Sequence, residues 1–207
     1  GVVGYNDPQL LMKCLDHVFE TVGDQIPVVV YDDASWASNV RAIKQREEFR
    51  QLLDTPESVQ MQGYSVERRL KAMLPRLSVI EAPVNRGSAY GRNQLWAWAE
   101  RHHYARMATI DMDIKVHPGW LSTLNAVMDG HANCGLATFT YANDHGGRFP
   151  TVVDGHDLRV AETTSMCWLV RIAMLDACLG PDHVWGMDAR MEVFSHDSEF
   201  SQRVRRC

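Results

Sequence analysis

ATIDMDIK, residues 108–115, sets an apolar run against two carboxylates, Asp111 and Asp113, with one methionine between them. Residues i and i+2 of a strand point to the same side. The stretch therefore predicts two acids on one face at the end of a buried strand. Carboxylates that close repel one another. Either a cation sits between them or both are solvated at the start of a loop.

Working outward from this stretch, short apolar runs alternate with amphipathic segments. RMATI (106–110) reads as a strand, with a helix before it at 88–103 and another after it at 117–129. GVVGY (1–5) reads as a first strand, followed by a helix whose Leu10, Leu11, Cys14, Leu15, Val18 and Val22 recur at helical spacing. Pro8 suits that helix's first turn. PVVVY (27–31) and LSVIEA (77–82) are short β-branched runs and read as the second and third strands, and CGLATFTY (134–141) as the fifth. Residues 37–54 and 57–76 carry two charged amphipathic helix patterns. Beyond 142 the pattern loosens into turn-rich sequence. A short strand is predicted near 162–170, a helix at 171–178 and a last helix from about Asp197. Alternating strand and helix predicts a largely parallel α/β sheet. No repeat or linker divides the chain, so a single domain is expected over 1–207.

In open parallel sheets ligands bind beyond the carboxyl ends of the strands. Polar residues follow four predicted strands: Tyr5, Asn6 and Asp7; Asp32, Asp33 and Ser35; Asn85 and Arg86 with Gly87; and Asp111 with Asp113. Each set has an ordinary explanation. Asp and Ser cap helices well, and Asn-Arg-Gly makes turns. Four sets on one edge, two of them acid pairs, make a ligand site the stronger reading. A hard divalent cation takes oxygen ligands and often binds through one or two carboxylates plus substrate phosphates, which is a use for Asp-x-Asp.

The 207 residues, 45% apolar, suffice for one sizeable core. A net charge of −5 argues against a broad polyanion-binding surface. The five cysteines (Cys14, Cys134, Cys167, Cys178, Cys207) show no CxxC and no paired spacing, which predicts neither a zinc ribbon nor a disulfide scaffold and favours a reducing, cytoplasmic setting. No apolar run approaches the length of a transmembrane helix. A start at Gly1 inside an apolar run, and an end at Cys207 just after a helical pattern, read as trimmed termini.

Taken together these pieces resemble family 2-like glycosyltransferases of the GT-A fold. GVVGYND (1–7), VVVYDDAS (28–35), NRGSAYGRN (85–93), ATIDMD (108–113) with Pro118, and HDSEFSQRV (196–204) are similar to that family's segments and come in its order. Residues 36–76 and 142–190 match nothing closely. The resemblance implies a GT-A, Rossmann-like and mostly parallel central sheet flanked by helices. It implies a donor-binding half over 1–115 and an acceptor-side half over 116–207. It also implies a metal-dependent inverting transfer of a sugar from a nucleoside-diphosphate sugar, with UDP favoured by analogy, to an acceptor hydroxyl. Tyr5 and Asp33 would hold the nucleobase, with Asn6 and Asp32 beside them. Arg92 would meet the diphosphate or the nucleotide edge. Asp111 would lie near the ribose and metal, and Asp113 would bind Mn²⁺ or Mg²⁺. Asp197 would be the catalytic base, on a helix positioned by Glu199 and Arg203. Trp185, in the irregular stretch before that base, would line the acceptor site or pack a lid. His196 replaces the family's usual Glu and is a candidate metal ligand, acceptor contact or helix cap.

Three rivals accompany this reading. A nucleotidyltransferase acting on sugar phosphates usually carries a Gly-rich loop after the first strand, where this chain has GYNDPQ. A non-catalytic sugar- or nucleotide-binding module has no need of both Asp113 and Asp197. An acceptor that is a nucleic-acid base is disfavoured by the negative charge but stays open.

Overall fold

The structure of the chain, a computed structural model, describes residues 1–35, 76–139, 151–154, 157–160, 167–179, 185–190, 199–200 and 202–204. The helix patterns over 37–54 and 57–76 lie, but for Arg76, outside them. The described elements run β1 (Val2–Gly4), α1 (Pro8–Thr21), β2 (Val28–Asp32), β3 (Leu77–Glu81), α2 (Gly87–Arg101), β4 (Arg106–Asp111), α3 (Trp120–Gly130), β5 (Leu136–Thr138), β6 (Thr151–Asp154), β7 (Asp157–Val160), β8 (Cys167–Arg171) and α4 (Ile172–Ala177). Residues 199–200 and 202–204 are helical.

Six strands form one sheet in the order β3-β2-β1-β4-β8-β5. β3, β2, β1 and β4 are parallel. β8 runs antiparallel to both β4 and β5, a reversal that the periodicity of the sequence does not contain. β6 and β7 pair as a separate antiparallel ribbon in the region expected to be turn-rich. The fold class is α/β as expected.

Alternation along each strand divides the core between two faces of the sheet. Val28 and Val30 of β2, Ile110 of β4 and Leu169 of β8 pack with Leu11, Leu15 and Val18 of α1 and with Leu124 of α3. Val29, Tyr31, Met107, Trp168 and Val170 pack on the other face with Leu95 and Trp96 of α2, Leu175 of α4, and Phe200. β2 is buried at all five positions; its apolar run predicts the first four, and Asp32 joins them. Of the two tryptophans on α2, Trp96 is core and Trp98 stacks on His102 and Tyr104 near the surface.

α1 begins where Asp7 accepts a hydrogen bond from the Leu10 N–H at 2.8 Å, with Pro8 in the first turn. Its far end is tied to α3 by the Trp120 indole N–H, which donates to Thr21 Oγ1 at 3.0 Å. α2 sits very close to the sheet at Gly91, where a Cβ would lie 2.8 Å from Tyr31 Cδ1 and 3.0 Å from Val3 Cγ1.

The cysteine reading needs one correction. The spacing predicts no disulfide scaffold, and Cys14, Cys134 and Cys167 are free, but Cys178 is disulfide-bonded. Pairing depends on which thiols the fold brings together, and spacing along the chain does not report that. The cysteine argument for a reducing setting therefore lapses. Among the described residues no helix is long and apolar enough to cross a membrane.

Gly91→Ala tests the helix–sheet contact. Alanine gains about 1 kcal/mol of helix propensity, but overpacking costs about 1–3 kcal/mol. The expected net result is a lower urea midpoint, and an unchanged or raised midpoint would contradict the close approach.

Candidate active site

The strand order reverses between β1 and β4. β1 leads outward to β2 and β3 on one side, while β4 lies on its other side. Val3 of β1 stands opposite Asp111 of β4, so the carboxyl ends of these two strands open beside each other. A crevice at such a switch point is where open α/β sheets bind ligands.

The ends of β1 and β2 are pinned together there. The backbone N–H of Asn6 donates to Ser35 Oγ at 2.9 Å, and the Ser35 hydroxyl donates in turn to Asp32 Oδ1. Asp33 N–H donates to Gly4 O at 2.9 Å. Asn6 and Ala34 both hold left-handed backbone, with φ of 53° and 58°. Asparagine tolerates that region; for alanine it costs energy that the surrounding structure must offset, a pattern that clusters at functional sites. The outcome is an exposed Tyr5, 43% accessible, at the lip of the crevice above buried Asp32 and Asp33.

Asp33 has a structural task that its position in the sequence does not reveal. Its two carboxylate oxygens accept from the backbone N–H groups of Arg86 and Gly87, at 2.9 and 2.8 Å. These are orphan donors at the start of α2, whose N-cap residue Arg86 makes no side-chain cap, although Asn85 Oδ1 also accepts from the Gly87 N–H at 3.2 Å. The negative charge also suits the positive end of the helix dipole. Beneath Asp33, burial, with the nearby acid adding to it, pushes the Tyr31 hydroxyl up to about 12.

The cation called for by Asp111 and Asp113 is in part supplied by the chain itself. Arg92 of α2, only 1% exposed, donates from Nη2 to Asp111 Oδ1. Asp111 is 28% exposed and ends β4. The chain then turns, with Ile114 N–H donating to Asp111 O at 3.1 Å, and Asp113 lies exposed in that turn. The same-face argument from strand alternation fails here because the strand stops at Asp111. Below the turn, the buried Cys14 thiol donates to the Asp111 carbonyl at 3.7 Å; burial pushes its pKa up to about 12, and likewise that of Cys167.

A second set of contacts joins α2 to residues 185–190, 199–200 and 202–204. Arg203, buried, grips Glu199 through Nε at 2.9 Å and Nη2 at 2.8 Å, one helical turn away. It also donates to Gly186 O at 2.7 Å and Cys178 O at 3.0 Å. Asn93 pairs with the backbone of Met187 in both directions, at 2.7 and 2.8 Å. Trp185 is half-buried, and its indole N–H donates to Asp176 at 3.0 Å. Asp188 is buried, and hydrogen bonds from Arg190 hold its carboxyl below the usual range. Sequence reasoning assigned nothing to Asn93, Gly186 or Asp188. Asn93 lies within the quoted NRGSAYGRN, but nothing in the sequence identifies its partner. His196 and Asp197 lie outside the described residues.

Among the described residues no group of three His, Cys, Asp or Glu side chains could hold a metal unaided. The donor set still fits a hard divalent ion that takes its remaining ligands from phosphate oxygens. Asp113 offers an exposed carboxylate, and Asp111 a partly exposed one. A cavity of about 270 Å³ opens at the opposite end of the sheet, among Val18, Val28, Tyr104, Met107 and Trp120, and contains none of these acids.

No family model matches the chain, and no curated protein does. Solved structures do. The chain is similar to TarS of S. aureus in complex with UDP, at 17% identity over 98% of this chain and 53% of that one, with a TM-score of 0.65. It is similar to the mannosyltransferase PcManGT from Pyrobaculum calidifontis in complex with GDP-Man and Mn²⁺, at 17% identity, 98% and 49% coverage and TM-score 0.59. It is also similar to GalNAc-T7 with UDP, GalNAc and Mn²⁺, at 13% identity, 98% and 39% coverage and TM-score 0.65. The fold is thus that of GT-A glycosyltransferases. The chain spans about half the length of these proteins, or less.

Asp111 and Asp113 differ in what they hold, and stability separates them. Asp111→Ala removes the carboxylate that the buried Arg92 Nη2 donates to and is expected to cost about 3 kcal/mol. Asp113→Ala, in an exposed turn, is expected to stay within about 0.5 kcal/mol of the parent. Urea unfolding of both variants measures this; equal losses would refute the distinction.

Proposed function

We propose that the chain is a metal-dependent, inverting glycosyltransferase that moves a sugar from a nucleoside-diphosphate sugar to an acceptor hydroxyl. One observation carries the reading: in a GT-A fold, the Arg92-held Asp111 ends β4 at the strand-order switch, with the exposed Asp113 in the turn just beyond it. The solved relatives bound to UDP or GDP-mannose support a nucleotide-sugar donor, and UDP is the first candidate.

The exposed ring of Tyr5 offers a face to the nucleobase. Asp33 keeps lone pairs beyond the two used at α2 and can accept from a base ring N–H. Asp32 shapes the loop through Ser35, and Asn6 sits within it. Arg92 is too buried to lie along a diphosphate; it acts by orienting Asp111 toward the ribose side. Asp113, with Asp111, would hold Mn²⁺ or Mg²⁺, and such an ion when bound neutralises the charge of a departing diphosphate. Two of the solved relatives contain Mn²⁺.

Asp197 takes the acceptor's proton as its oxygen attacks the anomeric carbon. A single displacement of this kind inverts that centre. Glu199 and Arg203 anchor the helical segment that follows the base in sequence, and Trp185 lies on the acceptor side. His196 is a further candidate ligand or acceptor contact. The acceptor is a carbohydrate or another hydroxyl compound.

Calorimetry with UDP, GDP, CDP and dTDP, each with and without Mn²⁺, tests the donor assignment. One nucleotide is expected to bind tightly only with metal, and Asp113→Ala to abolish that dependence. Absence of binding under every condition would remove the donor site. Asp197→Asn is expected to lower turnover roughly 10²–10⁴-fold, about 3–5 kcal/mol in the barrier, while leaving nucleotide affinity intact. Equal turnover in the variant would exclude Asp197 as the base.

A further inference from the structure

We propose that Asn93 is a positioning residue for the acceptor side of the site, acting from the same helix that holds the donor-side carboxylate. The proposal rests on the transferase reading above. Consecutive residues of a helix project about 100° apart. Arg92 accordingly faces the end of β4, where it holds Asp111, while Asn93 faces the segment 185–188. One turn of α2 therefore touches both the end of β4 and the segment 185–188.

The contact at Asn93 is specific. Its amide donates to Met187 O at 2.7 Å and accepts from Met187 N–H at 2.8 Å, so the side chain pairs with this backbone as a neighbouring strand would. Gly186 lies in left-handed backbone, φ 72°, and a Cβ there would collide with the Asn93 amide. The other side of Gly186 is held by Arg203, whose guanidinium donates to Gly186 O and also grips Glu199. Hydrogen bonds thus run from Asn93 through Gly186–Met187 to Arg203 and Glu199, two residues from Asp197 in the chain. Stacking of Trp96 on Phe200, with centroids 5.0 Å apart, joins the same two elements through the apolar core. A buried polar network with its members satisfied selects one geometry, and reacting groups lose rate steeply when their placement slips.

A merely structural Asn93 would weaken everything together; a positioning Asn93 separates binding from turnover. The test compares the full chain with Asn93→Ala. Three quantities are read: affinity for UDP with Mn²⁺, turnover of UDP-glucose, UDP-galactose and GDP-mannose with water as acceptor, and hydrogen exchange of the Met187 amide. Nucleotide affinity is expected to stay within about twofold while kcat falls roughly 10–100-fold and Met187 exchange accelerates. Combined with Arg203→Lys, the loss is expected to be less than the product of the two single losses, as for residues acting in one unit. Should Asn93→Ala fold poorly, Asn93→Asp keeps the acceptor for Met187 N–H but sets a carboxylate against Met187 O; the same split is expected. Unchanged kcat, or affinity falling in step with kcat, overturns the proposal. If the parent chain binds and consumes none of these donors, the transferase reading fails and takes the catalytic role with it. Exchange at Met187 would then still report whether Asn93 holds the segment.

Discussion

The buried guanidinium of Arg92 against the carboxylate of Asp111 is the contact on which the arrangement of this site depends. A charge so deeply enclosed is costly unless it is paired. Its partner must therefore stay where α2 can reach it, which fixes the last residue of β4 relative to that helix. Pairs of this kind contribute little net stability compared with a well-packed apolar contact, but leaving one partner alone is strongly destabilising. The interaction thus acts more as a constraint on geometry than as a source of stability. It leaves Asp113, just beyond the strand, exposed in its turn.

α2 meets this constraint because it is itself fixed at its start and along its length. Asp33 caps the helix, reaching from the end of β2 to the N–H groups of Arg86 and Gly87. Gly91 lets the helix settle onto Tyr31 and Val3. Trp96 buries its other side against Phe200. These contacts come from β1, from β2 and its end, and from the segment that carries Phe200. The helix is held between the end of β4 and the segment 185–188, and Arg92 and Asn93, one position apart, serve the two.

Much of this was legible in the chain, and for clear reasons. Unbroken β-branched runs such as VVVY become strands buried on both faces, and that periodicity is a local property. Asp7 and Pro8 announce α1 because capping involves residues only a few positions apart. The polar sets after the strands gather at one edge because parallel strands share a direction. What failed had one local and one non-local origin. Strand alternation was extended through Asp113, although β4 ends two residues earlier and the chain turns. The disulfide at Cys178 could not be read from spacing, since proximity in space decides it.

The sequence by itself determined the α/β class, the parallel direction of the early strands, and which residue types crowd the strand ends. All of these follow from short-range periodicity and from the common direction of the strands. The tertiary structure alone decided that β8 reverses, that Asp33 caps a distant helix, that Arg92 answers Asp111, and that Asn93 reads the backbone of Met187. These pairings join residues 19 to 94 positions apart, or 53 and 54 in the case of Asp33. Hydrogen bonds and ion pairs act over a few ångströms of space, and sequence distance carries no record of that.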